Sequence, residues 1–259
     1  MPEPAPYFFT PEWPVFYEDN HLLALYKPAG LLVQEDISRD ITLVDLAKQW
    51  IKERCQKPGE VYLGLPHRLD RPVAGVLLVC RTSKAAGRVT QQFRTGRVKK
   101  KYVAILEGVP DRDSGVLTHH LERRRNSTRI VDGPTEASLE ARLFFRVLET
   151  DAGRSLVEID LETGRHHQIR VQMASMGCPV IGDLRYGASR PLAKRQLGLL
   201  ARSLAVFHPT LDHPLVFTSP FPREWPWNGP DASETGPPWS WMDLEARIIP
   251  PCALGDPAL

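Results

Sequence analysis

The sequence lacks the patterns by which several large classes of protein are recognised. No apolar run approaches the roughly 20 residues that a membrane-spanning helix needs, and the first residues show no basic stretch followed by an apolar core, so no secretory signal is expected. The chain has no phosphate-binding loop and no GxGxxG, HExxH or GxSxG pattern. Nucleotide-cofactor, zinc-protease and serine-hydrolase functions therefore lose their usual support.

Cysteine is also scarce. The four cysteines, Cys55, Cys80, Cys178 and Cys252, are widely scattered and show none of the paired spacings typical of metal sites. Without an export signal, scattered cysteines indicate reduced thiols in a cytosolic protein. The 42% hydrophobic and 25% charged content is that of a soluble globular chain. We therefore expect a cytoplasmic protein that binds no metal.

Positive charge is concentrated in one part of the chain. The net charge of +2 conceals a surplus in the first 206 residues, because residues 207–259 carry seven acidic and only two basic side chains. Residues 84–101 contain seven basic residues and no acidic one, and the polar segment 111–133, which we interpret as a long hairpin or loop, contains an arginine cluster. Such runs fit a nucleic-acid backbone, but they also fit a solvated helix face, and both interpretations stay open here.

Short apolar runs between turn residues predict strands, and two stretches of helical periodicity predict helices. The strands are expected over 15–18, 22–26, 31–33, 73–80, 101–106, 137–149, 155–162, 199–207 and 215–218. Thr42 and Ser83 stand where a hydroxyl commonly caps a first helical turn. We divide the chain into an arm (1–14), a main domain (15–225) and a proline- and tryptophan-rich tail (226–259) that we expect on the surface.

The densest group of chemically active residues comprises His67, Arg68, Asp70 and Arg71, directly before the buried strand at 73–80. The end of a buried strand is rigid and open, which suits a functional site. Asp70, the carboxylate between the two arginines, is therefore the first candidate for a functional residue. The same pattern also fits an ordinary salt-bridge cluster at a strand start, and this motif alone does not separate the two.

A second dense segment lies at 163–174. We expect a helix that starts at Thr163 or Gly164 and carries Arg165, His167 and Arg170, because arginines at a helix N-terminus suit an anion. The two adjacent histidines could suggest metal ligands. Neighbours on a helix point apart, however, and no further ligand has suitable spacing, so the segment predicts no metal site.

Together these segments resemble the signatures of the RluA-type pseudouridine synthases. The first signature matches HRLDR at 67–71 with GVLL at 75–78, and the second matches TGRHHQIR at 163–170 with GD at 182–183. KYVA at 101–104 stands where the family carries its tyrosine motif. The motifs occur in the family's order, and the resemblance covers about residues 15–222.

The resemblance implies the pseudouridine synthase fold, an α+β fold with a mixed, mainly antiparallel sheet in two lobes, flanking helices and a central cleft. It makes 15–225 the catalytic domain of an isomerase that converts uridine in ribosomal or transfer RNA to pseudouridine without a cofactor. Because the target atoms are hidden in a stacked helix, the base must be flipped out. By resemblance Asp70 is the nucleophile, Arg170 is its ion-pair partner, and Tyr102 stacks on the uracil, with its part in removing the ring proton left open.

The residues predicted to contact RNA share a basic or imidazole side chain. They are Arg68, which matches a family arginine that helps evict the base, and Arg71, Lys84, Arg88, Arg94, Arg97, Lys99, Lys100, Lys101, Arg123, Arg124, Arg125, Arg165 and His167.

Two positions depart from the family pattern. Val73-Ala74 replaces a usual Thr-Ser pair, and His166 stands where many relatives have Thr. We expect activity to survive with altered local hydrogen bonding. A strand beginning near residue 15 leaves no room for the N-terminal RNA-binding domain of many relatives, so we expect a short, monomeric form whose RNA target is not specified.

Two other functions are considered. A catalytically silent RNA-binding module on the same fold is disfavoured because Asp70 and Arg170 are both present. A metal-dependent hydrolase using His67, Asp70 and the histidine pair is disfavoured by the spacing of its ligands.

Overall fold

Ten strands form one sheet in the computed structural model, which describes residues 15–56, 58–227 and 236–248. The strands are β1 (Val15–Glu18), β2 (Leu22–Lys27), β3 (Ala74–Cys80), β4 (Lys99–Glu107), β5 (Ser114–Arg123), β6 (Thr128–Val131), β7 (Ser138–Asp151), β8 (Arg154–Leu161), β9 (Leu199–Phe207) and β10 (Pro214–Thr218). Their order is β1-β2-β3-β9-β4-β8-β7-β5-β6, with β10 also paired to β9. Only β3 and β9 pair in parallel, so the predicted mixed, mainly antiparallel sheet is confirmed.

Four α-helices flank this sheet in the described residues. They are α1 (Leu43–Arg54), α2 (Ser83–Arg94), α3 (Gln168–Ala174) and α4 (Trp241–Ile248), with short 3-10 turns at Leu184–Tyr186 and Ala193–Arg195. Thr42 caps α1 in a capping box with Asp45, as predicted. The cap of α2 is Thr82 and not Ser83, because the Thr82 hydroxyl accepts the hydrogen bond from the Ala85 N–H. None of these helices is both long and apolar enough to span a bilayer.

Two of the four helices cover opposite faces of the first three strands. Every residue of β2 and β3 is buried, which explains why both strands appear in the sequence as continuous apolar runs. On one face Leu25 and Leu77 pack in a cluster with α1, and on the other Ala24 and Leu78 pack in a cluster with α2. This end of the sheet is the first lobe.

Strand β4 connects the first lobe to the second, which is built on β7, β8 and α3. Its side chains alternate between the two largest apolar clusters. Val103 and Ile105 belong to the cluster that includes α1, whereas Ala104 and Leu106 pack with residues of β7, β8 and α3. Because successive side chains of a strand point to opposite faces of the sheet, β4 contributes to the cores of both lobes.

The parallel contact between β3 and β9 depends on a glycine. Gly75 lies opposite Ala201 and has a φ of +128°. A Cβ at residue 75 would lie 2.2 Å from the Ala201 carbonyl oxygen, far inside van der Waals contact. Only glycine therefore allows the two strands to approach this closely at the mouth of β3.

The sequence-based expectation of a strand at 31–33 is wrong. Leu32 forms only an isolated bridge with Thr42. The carbonyls of Leu32 and Val33 accept hydrogen bonds from the N–H groups of Leu43 and Val44. The segment therefore satisfies the free donors at the start of α1 instead of extending the sheet. The segment at 111–133 does form the predicted hairpin, as β5 and β6.

The expectation of a surface tail is wrong for residues 236–248. Trp239 and Trp241 are each 5% exposed and belong to the cluster that contains α1. The backbone of this segment bonds to the turn after β2, because the Ala29 N–H donates to the Trp239 carbonyl and the Trp241 N–H donates to the Ala29 carbonyl. The boundary at 225 stays a prediction.

The rest of the expected tail, 228–235 and 249–259 with Cys252, and the arm at 1–14 lie outside the described residues. The three cysteines within the described ranges, Cys55, Cys80 and Cys178, carry free thiols, as the sequence predicts.

Two neighbouring residues of α4 test whether the tail is part of the core. Trp241→Ala removes a buried indole and should lower the free energy of unfolding by about 3–5 kcal/mol. Met242→Ala is the matched control, because that side chain is 59% exposed, and it should change the free energy by less than about 0.5 kcal/mol. Urea denaturation of both variants measures the difference. Small and equal changes in the free energy of unfolding for the two variants would show that α4 does not pack on the domain.

Candidate active site

The candidate site lies at the mouth of β3, where Asp70 ends a loop. The Val73 N–H donates to the Asp70 carbonyl and closes the turn that leads into the strand. The Asp70 side chain is 30% exposed, and its Oδ2 accepts a hydrogen bond from Arg170 Nη1 at 3.2 Å. The structure thus brings together two residues 100 positions apart in the chain, as the sequence-based hypothesis requires.

Arg170 is itself held by a second carboxylate, that of Asp183. Its Nε and Nη2 donate to the two oxygens of Asp183 at 2.6 and 2.9 Å, and its guanidinium lies 5.2 Å from the centre of the Tyr186 ring. Burial opposes the charged guanidinium, but its bonds to Asp183 and Asp70 keep the pKa of Arg170 above the ordinary value. The arginine is therefore a fixed cation that presents its remaining nitrogen, Nη1, to Asp70.

Tyr102 stands near the start of β4, half-buried between the two large apolar clusters. Burial, and then the negative charge of nearby Asp70, raise the pKa of its phenol. The side chain is therefore a neutral phenol at physiological pH. Its place on a strand shared by both clusters makes it a rigid wall of the site.

The paired histidines lie before α3, so the expected helix start at Thr163 or Gly164 is wrong. His167 has a left-handed φ of +53°, which interrupts any helix at that point. The Gln168 side chain instead accepts hydrogen bonds from the Arg165 N–H and the Thr163 hydroxyl. Residues 163–167 therefore form a tight bend and α3 begins at Gln168.

Within this bend the two imidazoles do not point apart, contrary to the helical expectation. Their ring centres are 3.7 Å apart with 22° between the planes. His167, predicted to contact RNA, has a side chain only 7% exposed, and its Nε2 lies 3.5 Å from Asp70 Oδ2. Burial, followed by the charge of Arg170, lowers the pKa of His167 to about 2, so its imidazole is neutral.

Lys27, a residue to which the sequence assigned no role, lies beneath the Asp70 loop. Its side chain is fully buried, and Nζ donates to the carbonyls of Pro28, Leu31 and Arg71 at 2.8–3.1 Å. Burial lowers the pKa of Lys27 to about 7, although the charge of Asp70 acts in the opposite direction. A lysine closing an apolar run before a Pro-Ala-Gly turn was the available signal.

The turn after β2 and the Asp70 loop are also joined directly. The Gly30 N–H donates to the Arg71 carbonyl at 2.7 Å, and Arg71 Nε donates to the Gly30 carbonyl at 2.9 Å. The Arg71 guanidinium also pairs with Asp40 at 2.7 Å. Arg71, predicted to contact RNA, therefore serves first as a link between two loops.

The His67 side chain has a structural role inside the fold. Its Nε2 accepts a hydrogen bond from the Leu78 N–H at 2.9 Å, and its ring stacks on Phe93. Burial lowers the pKa of His67 to about 3. Across the described ranges, no three His, Cys, Asp or Glu side chains come together in a metal-binding arrangement. The ligand set required by the hydrolase interpretation is therefore not assembled.

Some of the basic residues predicted to contact RNA bind other groups of the protein, and others do not. Lys101 pairs with Glu158 and Asp160, and Arg124 with Glu122. Lys100 donates to the Thr163 carbonyl, and burial followed by the charge of Arg165 lowers its pKa to about 8. Others among the predicted residues bond elsewhere: Arg88 to the Pro209 carbonyl, Arg94 to Gln91, Arg97 to the Phe207 ring and Arg165 to the Glu140 carbonyl. The predicted residues that are exposed and form neither an ion pair nor one of these other contacts with the described residues are Arg68, Lys84, Lys99, Arg123 and Arg125.

The departure at Val73-Ala74 falls inside the core. Val73 is 3% exposed and packs in the second lobe's cluster, and Ala74 is fully buried in the cluster with α1. Both positions follow Asp70 into β3. Apolar side chains at these positions therefore contribute packing on each side of the strand and no hydrogen bonds to the carboxylate.

Lys27 gives the site a measurable dependence on pH. Because the pKa of Lys27 falls from 10.5 to about 7 on folding, the unfolded chain binds more protons at this residue between those values. The free energy of unfolding of the wild type, relative to Lys27→Met, should therefore rise from pH 7 to 10 by up to about 4 kcal/mol, at about 1.4 kcal/mol for each pKa unit.

Denaturation of both proteins at several pH values measures this difference. Lys52→Met, which removes an exposed lysine of α1, is the control for loss of a surface charge. A difference between wild type and Lys27→Met that stays constant over this range would contradict the buried lysine.

Comparisons with known proteins identify relatives of this chain. A family model described as RNA pseudouridylate synthase matches residues 21–175. An uncharacterized RNA pseudouridine synthase of Bacillus subtilis, YhcT, is 34% identical over 218 residues, which are 82% of this chain and 70% of the relative. The ribosomal large subunit pseudouridine synthase D of Pseudomonas aeruginosa is 31% identical, with 83% of this chain and 70% of the relative covered.

A solved structure, human RNA pseudouridylate synthase domain containing 4, superposes with a TM-score of 0.69 at 27% identity, covering 82% of this chain and 89% of the other. The fold, the order of the motifs and the extent of these matches lead to one assignment. The chain belongs to the RNA pseudouridylate synthase family, and it is an RNA-modifying isomerase.

Proposed function

We propose that this enzyme converts particular uridines of structured ribosomal or transfer RNA to pseudouridine, with Asp70 as the nucleophile. The observation that carries the proposal is the Asp70 carboxylate held by Arg170, whose other guanidinium nitrogens are bound by Asp183. The name of the Pseudomonas relative supports ribosomal RNA as one substrate class. We further propose that the protein acts in the cytoplasm as a monomer and needs no cofactor.

The chemistry requires one bond to break and another to form without net loss of atoms. One oxygen of Asp70 attacks an electron-poor carbon of the sugar or the ring, and the bond between uracil N1 and C1′ breaks. The uracil then rotates within the site, and a bond forms between its C5 and C1′. The bond between the Asp70 oxygen and the substrate breaks, and the carboxylate is released unchanged. The C5 proton leaves and N1 gains a proton, so the product is an isomer of the substrate.

Asp70 is suited to this role because its two oxygens have different surroundings. Oδ2 faces Arg170 and His167. Oδ1 has no hydrogen bond to any of the described residues, in a side chain that keeps 30% of its surface exposed. The carboxylate is therefore anchored by one oxygen while the other is open to a substrate.

Tyr102 contributes a surface for the rotating uracil. A phenol whose pKa is raised by burial and by Asp70 stays protonated, so it is not an anionic base at neutral pH. Its aromatic face can stack on the extruded ring, and such stacking stabilises a flipped base by about 1–3 kcal/mol. Tyr102 therefore holds the uracil while the carboxylate acts on it.

The RNA backbone would be bound by the exposed basic residues around the site. Arg123 ends β5, and its charge is close enough to lower the pKa values of both His166 and His167. Arg68 is exposed two residues before the nucleophile, where it can occupy the space left by an evicted base. Phosphate contacts fix the register of the RNA, and pairing of the uracil with the site selects the nucleotide.

Asp70→Asn tests the nucleophile directly. The amide keeps the shape of the side chain but removes its charge and its nucleophilic oxygen, so pseudouridine formation should fall more than a thousandfold. RNA from cells lacking the enzyme is the substrate, and pseudouridine is mapped by chemical adducts that stop reverse transcription. Asp40→Asn, which removes another arginine-paired carboxylate, is the matched control and should stay active.

Three results would change the assignment. Equal modification by the parent protein and Asp70→Asn would exclude Asp70 as nucleophile. RNA binding by the parent without any modification would favour the silent RNA-binding module. Loss of activity on adding a chelator alone would revive the metal-dependent alternative.

Two arginines at opposite ends of β5 test the RNA surface. Arg123 ends β5 and Arg112 lies two residues before its start, and both are exposed. The strand between them spans roughly 30 Å at about 3.4 Å per residue. Arg123→Ala should weaken RNA binding and make the slope of log affinity against log salt shallower by about one. Arg112→Ala removes the same charge at the other end of the strand and should leave the slope unchanged. Filter binding at several salt concentrations measures both, and equal slopes would place the RNA elsewhere.

A further inference from the structure

We propose that His167 is a positioning residue for Asp70, which it holds through Nε2–H, and that the Tyr186 hydroxyl sets the tautomer that makes this possible. The inference rests on the proposed role of Asp70 as nucleophile. It assigns a specific task to a histidine that the sequence placed among the RNA contacts.

One of the hydrogen bonds to the Tyr186 hydroxyl has a fixed direction, because its donor is a backbone N–H. The Thr128 N–H donates to the Tyr186 hydroxyl oxygen at 2.8 Å. A backbone N–H can only donate, so the tyrosine oxygen is an acceptor in that bond and its own hydrogen is available. His167 Nδ1 lies 2.8 Å from the same oxygen. The hydroxyl hydrogen can therefore point to Nδ1, and we assign the Tyr186 hydroxyl as the donor in this bond.

A neutral imidazole carries one proton, and a ring nitrogen that accepts a hydrogen bond does not carry it. With Tyr186 as the donor, the proton of His167 is on Nε2, which faces Asp70 Oδ2 at 3.5 Å. A carboxylate only accepts, so this tautomer is complementary to Asp70, whereas the other would set two lone pairs against each other. Hydrogen bonds of this kind are often long before substrate binds and shorten in the complex.

The surroundings of His167 keep this arrangement neutral and rigid. Arg170, His166, Arg185 and Arg123 all disfavour a second proton on the ring, as does burial. The imidazole stacks on His166 and meets the edge of the Tyr186 ring at 90°. His167 can therefore donate a hydrogen bond to Asp70 without adding a charge to the site.

The backbone at His167 adds an independent observation. Its φ of +53° is a conformation that side chains other than glycine rarely adopt, and strain of this kind is concentrated at functional sites. At this position the chain leaves the bend and enters α3, which carries Arg170 one turn later. Both donors to Asp70 Oδ2 thus come from one short segment, and together they leave Oδ1 for the substrate.

The tautomer can be measured without any RNA. In protein labelled with ¹⁵N-histidine, NMR correlation of the ring nitrogens should show His167 protonated at Nε2 and unprotonated at Nδ1. Tyr186→Phe keeps the ring that packs near Arg170 but removes the donor, so the Nδ1 signal of His167 should shift toward that of a ring nitrogen without a hydrogen bond. Asp70→Asn should shift the Nε2 signal of His167. A His167 protonated at Nδ1, or doubly protonated at neutral pH, would overturn the proposal.

Activity separates positioning from simple packing. His167→Gln can return an amide N–H to the place of Nε2, whereas His167→Asn places it near Nδ1 and away from Asp70. Under single-turnover conditions the Asn variant and Tyr186→Phe should be slower than wild type by roughly ten- to a hundredfold, the factor of one hydrogen bond to a charged group. The Gln variant should keep most of the rate, and RNA affinity should stay within about twofold in all three, because none removes a phosphate contact.

An Asn variant as fast as the Gln variant would refute the positioning role. A wild type that makes no pseudouridine would refute the proposed function instead, and the tautomer measurements would then decide whether the link from Tyr186 to Asp70 exists.

Discussion

The guanidinium of Arg170 joins two carboxylates, Asp70 and Asp183, that come from distant parts of the chain. Asp183 is 1% exposed, so its charge is tolerable only with a partner, and removal of one member of a buried pair is strongly destabilising. The same bidentate contact fixes the rotamer of Arg170 and aims its remaining nitrogen at Asp70. The stability of the fold and the geometry of the site therefore both depend on Arg170. A substitution at this residue changes both.

Two other side chains near the Arg170 guanidinium are neutral. Tyr102 and His167 both have pKa values that keep them uncharged, the first raised and the second lowered, in each case by burial first. Asp70 and Arg170 are thus the charged pair at the centre, and their neighbours orient and enclose without competing for the carboxylate's charge. Because His167 is neutral, its imidazole can lie next to the Arg170 guanidinium in this bend without repulsion between like charges.

Much of this site could be predicted from sequence, and the rest could not for identifiable reasons. Asp70 and Arg170 lie in compact motifs, and β2 and β3 are apolar throughout because both their faces are buried. The start of α3 was misplaced because a left-handed residue at His167 leaves no trace in hydrophobic periodicity. Lys27 and Asp183 act through tertiary hydrogen bonds, and the local sequence around each residue does not identify its partners. The tail was misjudged because proline and tryptophan content does not say what a segment packs against.

The pairing of Ala29 with Trp239 and Trp241 bears on how the protein is made. A ribosome that has translated as far as Tyr186 has supplied every side chain of the site, including both carboxylates bound by Arg170. The turn that holds the Asp70 loop nevertheless lacks its outer support until Trp241 has left the exit tunnel. The site therefore gains this support only after residue 241 has been made, and a product terminated before it would carry all the motifs of the family without the brace behind its proposed nucleophile.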